Sequence, residues 1–458
     1  MKLLNQGDRR VQLIIGKKKV KPGACYRWSC YAVLHSLKGE QYLYHNFTKR
    51  MYVLEGEPLT VDAAVRYSAE EIADSPLLLQ LAEDSFLVPE DLDETAVYES
   101  YCTIARGMKV KKNGYSALTI LPTTACNARC VYCFEQGMKY VTMQRETVDQ
   151  LIAFIKKEHN PDRPIRLSWF GGVPLIGRKI IERVCNALRE ADIPFYGKMI
   201  SNGSLVTEPI LRQMKEEWNL ERIQITLDGT EEYYNTRKNY YFNYQSAYWH
   251  VLSRIKMINE GGIRLVIRVN VDDENINTVL DMADDLKNFI VNPDLVSFDL
   301  APLFDLQTGN NGLEVWEKVF SINDALEARG YRVATHYSVM SARTNFCMAD
   351  NPYVSLVVAP DGKLYNCEHI EEGKYLGDLW NGVTEQEQVQ KLHSVEPARE
   401  QCRGCFSLPN CTTFTGCPYV RVDCRFAARK RMERTLNRAI PKLLEQQAES
   451  LADEDDDE

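Results

Sequence analysis

Three cysteines within eight residues are the first feature of this 458-residue chain that can do chemistry. Cys126, Cys130 and Cys133 are spaced C-x3-C-x2-C and directly follow an apolar run at residues 116–123. Thiolates so spaced can fold round one face of an iron–sulfur cube and leave its fourth iron without a protein ligand. A structural zinc site is normally closed by four ligands, and no fourth is offered nearby, so a zinc knuckle or unconnected thiols are the weaker readings. A second group reads Cys347-x14-Gly362-x4-Cys367, then Cys402-x2-Cys405-x5-Cys411-x5-Cys417-x6-Cys424. Seven cysteines exceed what one cluster needs, and four-thiolate ligation suits 4Fe–4S centres, although Cys402-x2-Cys405 alone is also a zinc spacing. Ten of the fourteen cysteines fall into these two groups, a clustering that scattered buried thiols would not show. Cys25, Cys30 and Cys102 have no ligand spacing and are expected to be core residues.

The elements that must position these residues follow from periodicity. Strand-like runs at Ser116–Thr123, Ile165–Phe170, Tyr196–Ser201, Arg222–Leu227, Arg264–Val271 and Leu295–Pro302 alternate with helical patterns at about 142–158, 176–192, 207–218, 246–260, 276–290 and 312–329. Six β-then-α units in order predict a parallel sheet with helices outside it, its strands nearly continuous apolar runs covered on both faces. Six units are too few for a closed eight-stranded barrel, so the expected fold class is α/β, an open (βα)6 partial TIM barrel. Sites in such folds lie at the C-terminal ends of the strands, here Cys126, Gly171-Gly172, Ser201-Asn202-Gly203, Asp228-Gly229, Asn270 and Pro302. Before this region, short strands at Val11–Ile15, Tyr42–Phe47 and Arg50–Leu54 and a helical stretch at Thr60–Glu83 predict a small α+β module, closed by a boundary loop at Lys109–Lys112. After it come the cysteine-rich segment, a basic helix at Arg425–Leu444 and an acidic tail. The expected divisions are 1–112, 113–335, 336–430 and 431–458.

With these motifs in place the chain resembles the radical S-adenosylmethionine (radical SAM) superfamily over residues 116–330. The resemblance implies that Cys126, Cys130 and Cys133 bind a 4Fe–4S cluster whose open iron chelates S-adenosylmethionine, and that one-electron cleavage of the cofactor releases a 5′-deoxyadenosyl radical. It also implies cofactor contacts at Tyr132 beside the adenine, at Gly171 and Gly172, at Ser201 and Asn202 near the ribose, and at Arg237 toward the carboxylate. Ser and Asn at these places also serve as helix caps and turn residues. One motif departs from the family pattern. Where the second strand should end in Gly-Gly-Glu-Pro, this chain has Gly171-Gly172-Val173-Pro174, without the glutamate that holds the cofactor's amino group.

The second cysteine group resembles the SPASM extension, which carries two auxiliary 4Fe–4S clusters and brings the total to three. The resemblance assigns Cys347, Cys367 and Cys417 to the first auxiliary cluster, one thiolate short of four, and Cys402, Cys405, Cys411 and Cys424 to the second. Five residues rather than the family's three separate Cys411 from Cys417. An open iron for a substrate thiolate, or a contact from Glu368 or His369, would fill the gap. Glu368 also matches the position of a catalytic base in sulfatase-maturing relatives. A hundred-residue module ahead of such domains resembles the winged-helix-like leader-recognition element of maturases of ribosomally made (RiPP) peptides, which captures a precursor's leader as an added strand.

The implied function is a cytoplasmic radical SAM oxidoreductase that forms a C–S thioether or C–C crosslink in a precursor peptide, supplied with electrons by a reductant such as flavodoxin or ferredoxin. The rivals are a formylglycine-generating sulfatase-type maturase, a peptide epimerase, and a non-catalytic iron–sulfur carrier or peptide scaffold. Composition fits this reading. Of the net charge of −9, the six residues 453–458 contribute −6, leaving 55 basic against 58 acidic residues in the body. That balance predicts no nucleic-acid partner. No apolar stretch is long enough to span a membrane, and no secretory signal is expected.

Overall fold

The structure, a computed structural model, describes residues 1–455 except 17–18, 57, 111–113, 242–244, 304–312, 335–337, 343, 345–347, 372 and 412–424. Cys347, Cys417 and Cys424 therefore lie outside the described residues. The chain divides into two compact units, one made of residues 1–108, 335–346 and 395–458, the other of 109–334 and 347–394.

In the first unit the elements run β1 (Lys2–Asn5), α1 (Arg9–Ile15), β2 (Cys25–Trp28), β3 (Ala32–Leu37), β4 (Glu40–His45), β5 (Met51–Leu54), β6 (Arg66–Ser68), α2 (Ala69–Asp74), α3 (Pro76–Glu83), β7 (Leu87–Pro89) and α4 (Glu94–Val110). Four strands form an antiparallel sheet in the order β1-β5-β4-β3, and three form a second in the order β6-β2-β7. Three expectations change here. The Val11–Ile15 run is helical, because the Asp8 carboxylate accepts the Arg10 N–H at 2.9 Å and caps a turn that a five-residue apolar run cannot specify alone. The stretch 60–83 is two short helices after a strand. Ser68 and Glu71 build a capping box on α2, and Ser75 with Pro76 stops it and starts α3. Lys109 and Val110, expected in a loop, end the 17-residue helix α4. Cys25 is also corrected: it is exposed on β2, whereas Cys102 is buried and Cys30 half-buried. The apolar faces of β1, β4 and β5 pack Leu4, Tyr42, Tyr44 and Met51 against Met432, Leu436 and Ile440 of the C-terminal helix, Arg425–Asp455.

The second unit carries the six parallel strands that the repeats predict: β8 (Ala117–Ile120), β9 (Ile165–Trp169), β10 (Phe195–Ser201), β11 (Leu220–Thr226), β12 (Arg264–Val271) and β13 (Val296–Pro302), adjacent in that order. Helices α5 (Arg145–Glu158), α6 (Arg178–Arg189), α7 (Glu208–Glu216), α8 (Glu231–Lys238), α9 (Ala247–Glu260), α10 (Val279–Lys287) and α11 (Leu313–Ala328) follow them, α8 being an addition to the predicted set. Leu151, Ile155, Ile181, Leu188, Met214, Leu252 and Leu286 from five of these helices join the strands' Leu167, Ile223, Ile267 and Phe298 in one core. The strands are not covered equally on both faces. β9, β10 and β13 alternate buried with half-exposed residues, and the half-exposed positions include Ser168, Lys198, Gln224, Arg268 and Asp299. One face of this sheet is thus polar and open, with Arg268 paired to Asp299 at 2.8 Å. The sheet also grows at both edges. β14 (Arg332–Val333) pairs with β13, and β15 (Ser355–Val358) pairs in parallel with β8, leading into the antiparallel β16 (Lys363–Tyr365), β17 (Gly377–Asp378) and β18 (Gly382–Val383).

Candidate active site

The loop between β8 and α5 holds Cys126, Cys130 and Cys133, all half-buried free thiols. Tight turns bring them together: the Cys133 N–H donates to the Cys130 carbonyl at 3.1 Å, and the Ala128 N–H points to the Cys126 sulfur at 3.4 Å. Burial pushes the Cys126 thiol up and the Cys133 thiol up to about 11, and each feels its cysteine neighbours. Crowded thiols that resist ionisation alone are suited to a cationic cluster that takes them as thiolates. Among the described residues no three Cys, His, Asp or Glu side chains close round a single metal ion. The donor set fits an iron–sulfur cluster, whose ligands are spread over several irons.

The end of β9 braces this loop from the next strand. Gly171 has φ +96°, and a Cβ on it would collide with the Thr123 carbonyl; a Cβ on Gly172 would collide with the Ala125 carbonyl. The Val173 N–H then donates to that Ala125 carbonyl at 2.9 Å. Glycine is required here because two backbones touch. The Val173 side chain is fully buried in the sheet core, so the position where the family has its glutamate is an apolar packing site.

The end of β10 supplies a polar knot. Asn202 Nδ2 donates to Asn127 Oδ1 at 2.8 Å, Asn127 Nδ2 donates to Ser204 Oγ at 2.9 Å, and the Ser204 hydroxyl donates back to Asn202 Oδ1 at 2.9 Å. Asn127 lies between the first two cysteines, so Asn202 fixes the cysteine loop directly. Ser201 is buried and accepts the Gly203 N–H at 3.2 Å, which is a turn role.

The end of β11 and helix α8 hold the other side of the loop. The Val131 N–H donates to the Arg237 carbonyl and the Arg129 N–H to the Lys238 carbonyl, both at 3.0 Å. The Tyr132 hydroxyl donates to Asp228, Lys238 Nζ donates to that hydroxyl at 2.6 Å, and Lys238 pairs with Asp228 at 3.1 Å. Asp228 and Lys238 are both buried. Burial works against the lysine's charge, but Asp228 together with Tyr132, Cys130 and Tyr234 outweighs it and holds the ammonium well above its usual value; burial also drives the Tyr132 phenol up. The Arg237 guanidinium lies 5.5 Å from the Tyr132 ring centre and is engaged by Asp272 at 2.6 Å and Glu274 at 3.6 Å.

Cys367, Glu368 and His369 approach the same loop. Phe134 meets the His369 ring at 4.3 Å, and Glu368 is close enough to act electrostatically on Glu135. Burial, with the Glu368 charge added, pushes the Glu135 carboxyl up to about 7, and burial also raises Glu368. One oxygen of Glu135 is buried with no hydrogen-bond partner among the described residues. Cys402, Cys405 and Cys411 belong to the other compact unit. Sequence reasoning missed Asn127, Glu135, Ser204 and Lys238, and it noted Asp228 only as a strand end. Of these, only the Asp228-Gly229 turn gave a local signal, its place after a predicted strand.

Comparison with known proteins follows this geometry. Residues 120–286 match the model of the radical SAM superfamily. An uncharacterized protein of Methanocaldococcus jannaschii is 25% identical over 122 residues, which is 26% of this chain and 41% of that protein, so the match spans under half of the relative's length. Among solved structures, anSMEcpe with bound AdoMet superimposes with a TM-score of 0.56 at 16% identity, over 72% of this chain and 98% of that one. Streptococcus suis SuiB bound to precursor peptide SuiA gives a TM-score of 0.51 at 12% identity, over 86% and 98%. These likenesses are likenesses of fold. No helix among the described residues is long and apolar enough to cross a membrane.

Proposed function

We propose that this chain, whose residues 120–286 match the model of the radical SAM superfamily, is a maturase of that kind that abstracts hydrogen from a residue of a ribosomally made precursor peptide and forms a C–S thioether or C–C crosslink. The observation that carries the reading is the three-cysteine loop, braced by the ends of β9, β10 and β11 beside a polar, half-open sheet face. Cys126, Cys130 and Cys133 would hold a 4Fe–4S cluster and with it S-adenosylmethionine. When bound, that pair supplies a one-electron cleavage and a hydrogen-abstracting carbon radical.

The chain's own residues then have distinct tasks. Gly171 and Gly172 keep the second strand end clear of side chains. Glu135 takes the place of the missing glutamate, since Val173 is turned into the core and the unpartnered Glu135 oxygen is free to accept from an ammonium group. Tyr132, locked by Asp228 and Lys238, presents a fixed aromatic face. Arg237 acts through Asp272 and Glu274 as a brace for the loop's backbone. Glu368, whose carboxyl is raised by burial, is suited to receive a proton from the substrate residue after hydrogen abstraction. Cys347, Cys367 and Cys417, and Cys402, Cys405, Cys411 and Cys424, are the thiols for two further 4Fe–4S clusters, which would pass the surplus electron to a flavodoxin- or ferredoxin-like partner. Residues 1–112 would bind the leader. In support, β3 is an edge strand of its sheet, and a peptide strand can add there. Complexes of anSMEcpe and SuiB with peptides support a peptide substrate in the same fold.

The test is anaerobic incubation of the cluster-loaded protein with S-adenosylmethionine and a strong reductant. Deoxyadenosine should form with the native chain and vanish when Cys126, Cys130 and Cys133 are all changed to Ala; none from a fully loaded native chain would sink the proposal. The place of Glu368 beside the loop favours a second reading, formylglycine formation. Product mass separates the two, because a crosslinked cysteine keeps its sulfur and a cysteine converted to formylglycine loses it.

A further inference from the structure

The open face of the parallel sheet carries a row of cations to which the tasks above give no part. Arg166 of β9, Lys198 of β10, Arg222 of β11 and Arg264 of β12 alternate with Leu167, Met199, Ile223 and Leu265, whose side chains enter the helix-covered core. Successive side chains of a strand point to opposite faces, so all four cations project from the face turned away from the helices. They are also lateral neighbours. Lys198 is in register with Arg222 on one side and with Ser168 on the other, Arg222 with Arg264, and Arg166 with Tyr196.

Such a row works against the fold. Like charges set opposite one another across strands are destabilising, and here two such pairs adjoin, Lys198 with Arg222 and Arg222 with Arg264. One carboxylate answers them, Glu221, which pairs with Arg264 at 3.0 Å. Among the described residues Arg166, Lys198 and Arg222 have no ion pair, and the Arg166 Nε is buried without a hydrogen-bond partner. Burial, with the charges of Arg222 and Arg166 added, lowers the Lys198 ammonium to about 8. Nearer the strand ends the same face is balanced, with Arg268 held by Asp299 at 2.8 Å. Uncompensated guanidinium and ammonium groups suit carboxylates, which arginine grips through two parallel N–H donors.

We propose that this row selects an acidic peptide substrate, by binding the carboxylates of its Asp and Glu side chains across Arg166, Lys198, Arg222 and Arg264. The inference rests on the peptide reading of the previous section but not on the radical reaction. It also sets a spacing. Lys198 lies three residues before the end of β10 at Ser201, and Arg222 four before the end of β11 at Thr226. At about 3.3 Å per residue the row is roughly 10–13 Å from the strand ends that brace the cysteine loop. An extended peptide that reacts at those ends reaches the row with acidic residues about three to four positions from the reacting one.

The experiment uses the full-length, cluster-loaded protein without S-adenosylmethionine or reductant. Its probes are labelled twelve-residue peptides of Gly, Ser and Ala that carry three Glu, three Gln or three Lys. Fluorescence anisotropy should show the Glu peptide binding about tenfold more tightly than the Gln peptide, and a Lys198→Gln, Arg222→Gln double variant should lose that preference. Arg222→Glu should shift the preference toward the Lys peptide, a result that a misfolded protein cannot give. Lys156→Gln, exposed on α5, should bind as the native chain does. Acetylation of Lys198, read by mass spectrometry, locates the contact: the Glu peptide should protect this lysine, and inorganic phosphate at the same concentration should not. Equal affinity for the Glu and Gln peptides, no binding of either, or a preference that survives the double variant would overturn the assignment. Protection by phosphate as strong as by the Glu peptide would overturn it too, as the mark of a general anion site. Deoxyadenosine formation by the native chain is scored separately: its absence would sink the maturase reading, whereas unselective peptide binding would sink this one.

Discussion

The Asp228–Tyr132–Lys238 triad is where charge and loop position meet in this protein. Asp228 and Lys238 are buried and paired, and the lysine carbonyl also anchors Arg129 of the cysteine loop. Changing Asp228 to Asn leaves the ammonium without its counter-charge, which costs about 3–5 kcal/mol for a buried pair broken on one side. Thermal melting should show that loss together with reduced iron at the first cluster, whereas unchanged iron would mean that the loop is held by its turns alone. A second residue predicts a pH dependence. His45 is buried, its Nδ1 accepts the Thr48 N–H and its Nε2 meets Ser29 Oγ, both at 3.1 Å, and burial lowers its pKa to about 3. The unfolded chain takes up a proton near pH 6.5 that the folded one refuses, so stability falls as pH drops below that value, by up to about 1.4 kcal/mol per pH unit until pH nears 3. Melting of the native chain and His45→Gln at pH 7 and pH 5.5 should give a shallower pH slope for the variant. Equal slopes would remove His45 from the account. Neither the triad nor His45 was legible in the sequence, because each depends on partners far away along the chain: Tyr132 precedes Asp228 by 96 positions.

At the scale of elements, the β8 loop and the β9 turn act as one part. The Gly172 position has no room for a methyl group, since the Ala125 carbonyl occupies it. Gly172→Ala should therefore displace the loop that starts at Cys126 while the sheet persists. Deoxyadenosine output should drop at least tenfold with far-UV circular dichroism unchanged, and native output would show that the two backbones can separate cheaply. Restoring the family's glutamate should not help. Val173→Glu places a carboxylate in a fully buried apolar site, a penalty of several kcal/mol, and its signature would be a lowered melting temperature without tighter cofactor binding. The parallel strands and most of the helices were legible because long periodic segments declare themselves. The region before β8 was read less well. Val11–Ile15 is too short for its period to be decided, and the caps Asp8, Ser68 and Ser75 choose the outcome there. The polar sheet face was missed for a related reason, since a Lys198 or an Arg268 in a mostly apolar run does not say which face is open.

The whole molecule is two compact units, and one of them gathers residues 1–108, 335–346 and 395–458. Its cores mix the two ends of the chain: Tyr42, Tyr44 and Met51 with Met432, Leu436 and Ile440, and Tyr31 and Tyr98 with Leu408. Removing residues 1–108 would therefore strip the C-terminal helix of its partners. That truncated protein should bind a hydrophobic dye and elute as an aggregate, and a monodisperse, dye-silent product would show that the C-terminal segment has another home. No local pattern announces such a union, because an amphipathic face states that it needs a partner and not which one. The same mixing sets a clock on synthesis. The ribosome releases the first 108 residues long before Met432, and at about 5–20 residues per second the interval lasts roughly 15–65 s. Throughout it the nascent sheet keeps Tyr42, Tyr44 and Met51 uncovered, so the cell must shelter the beginning of this protein until its end arrives.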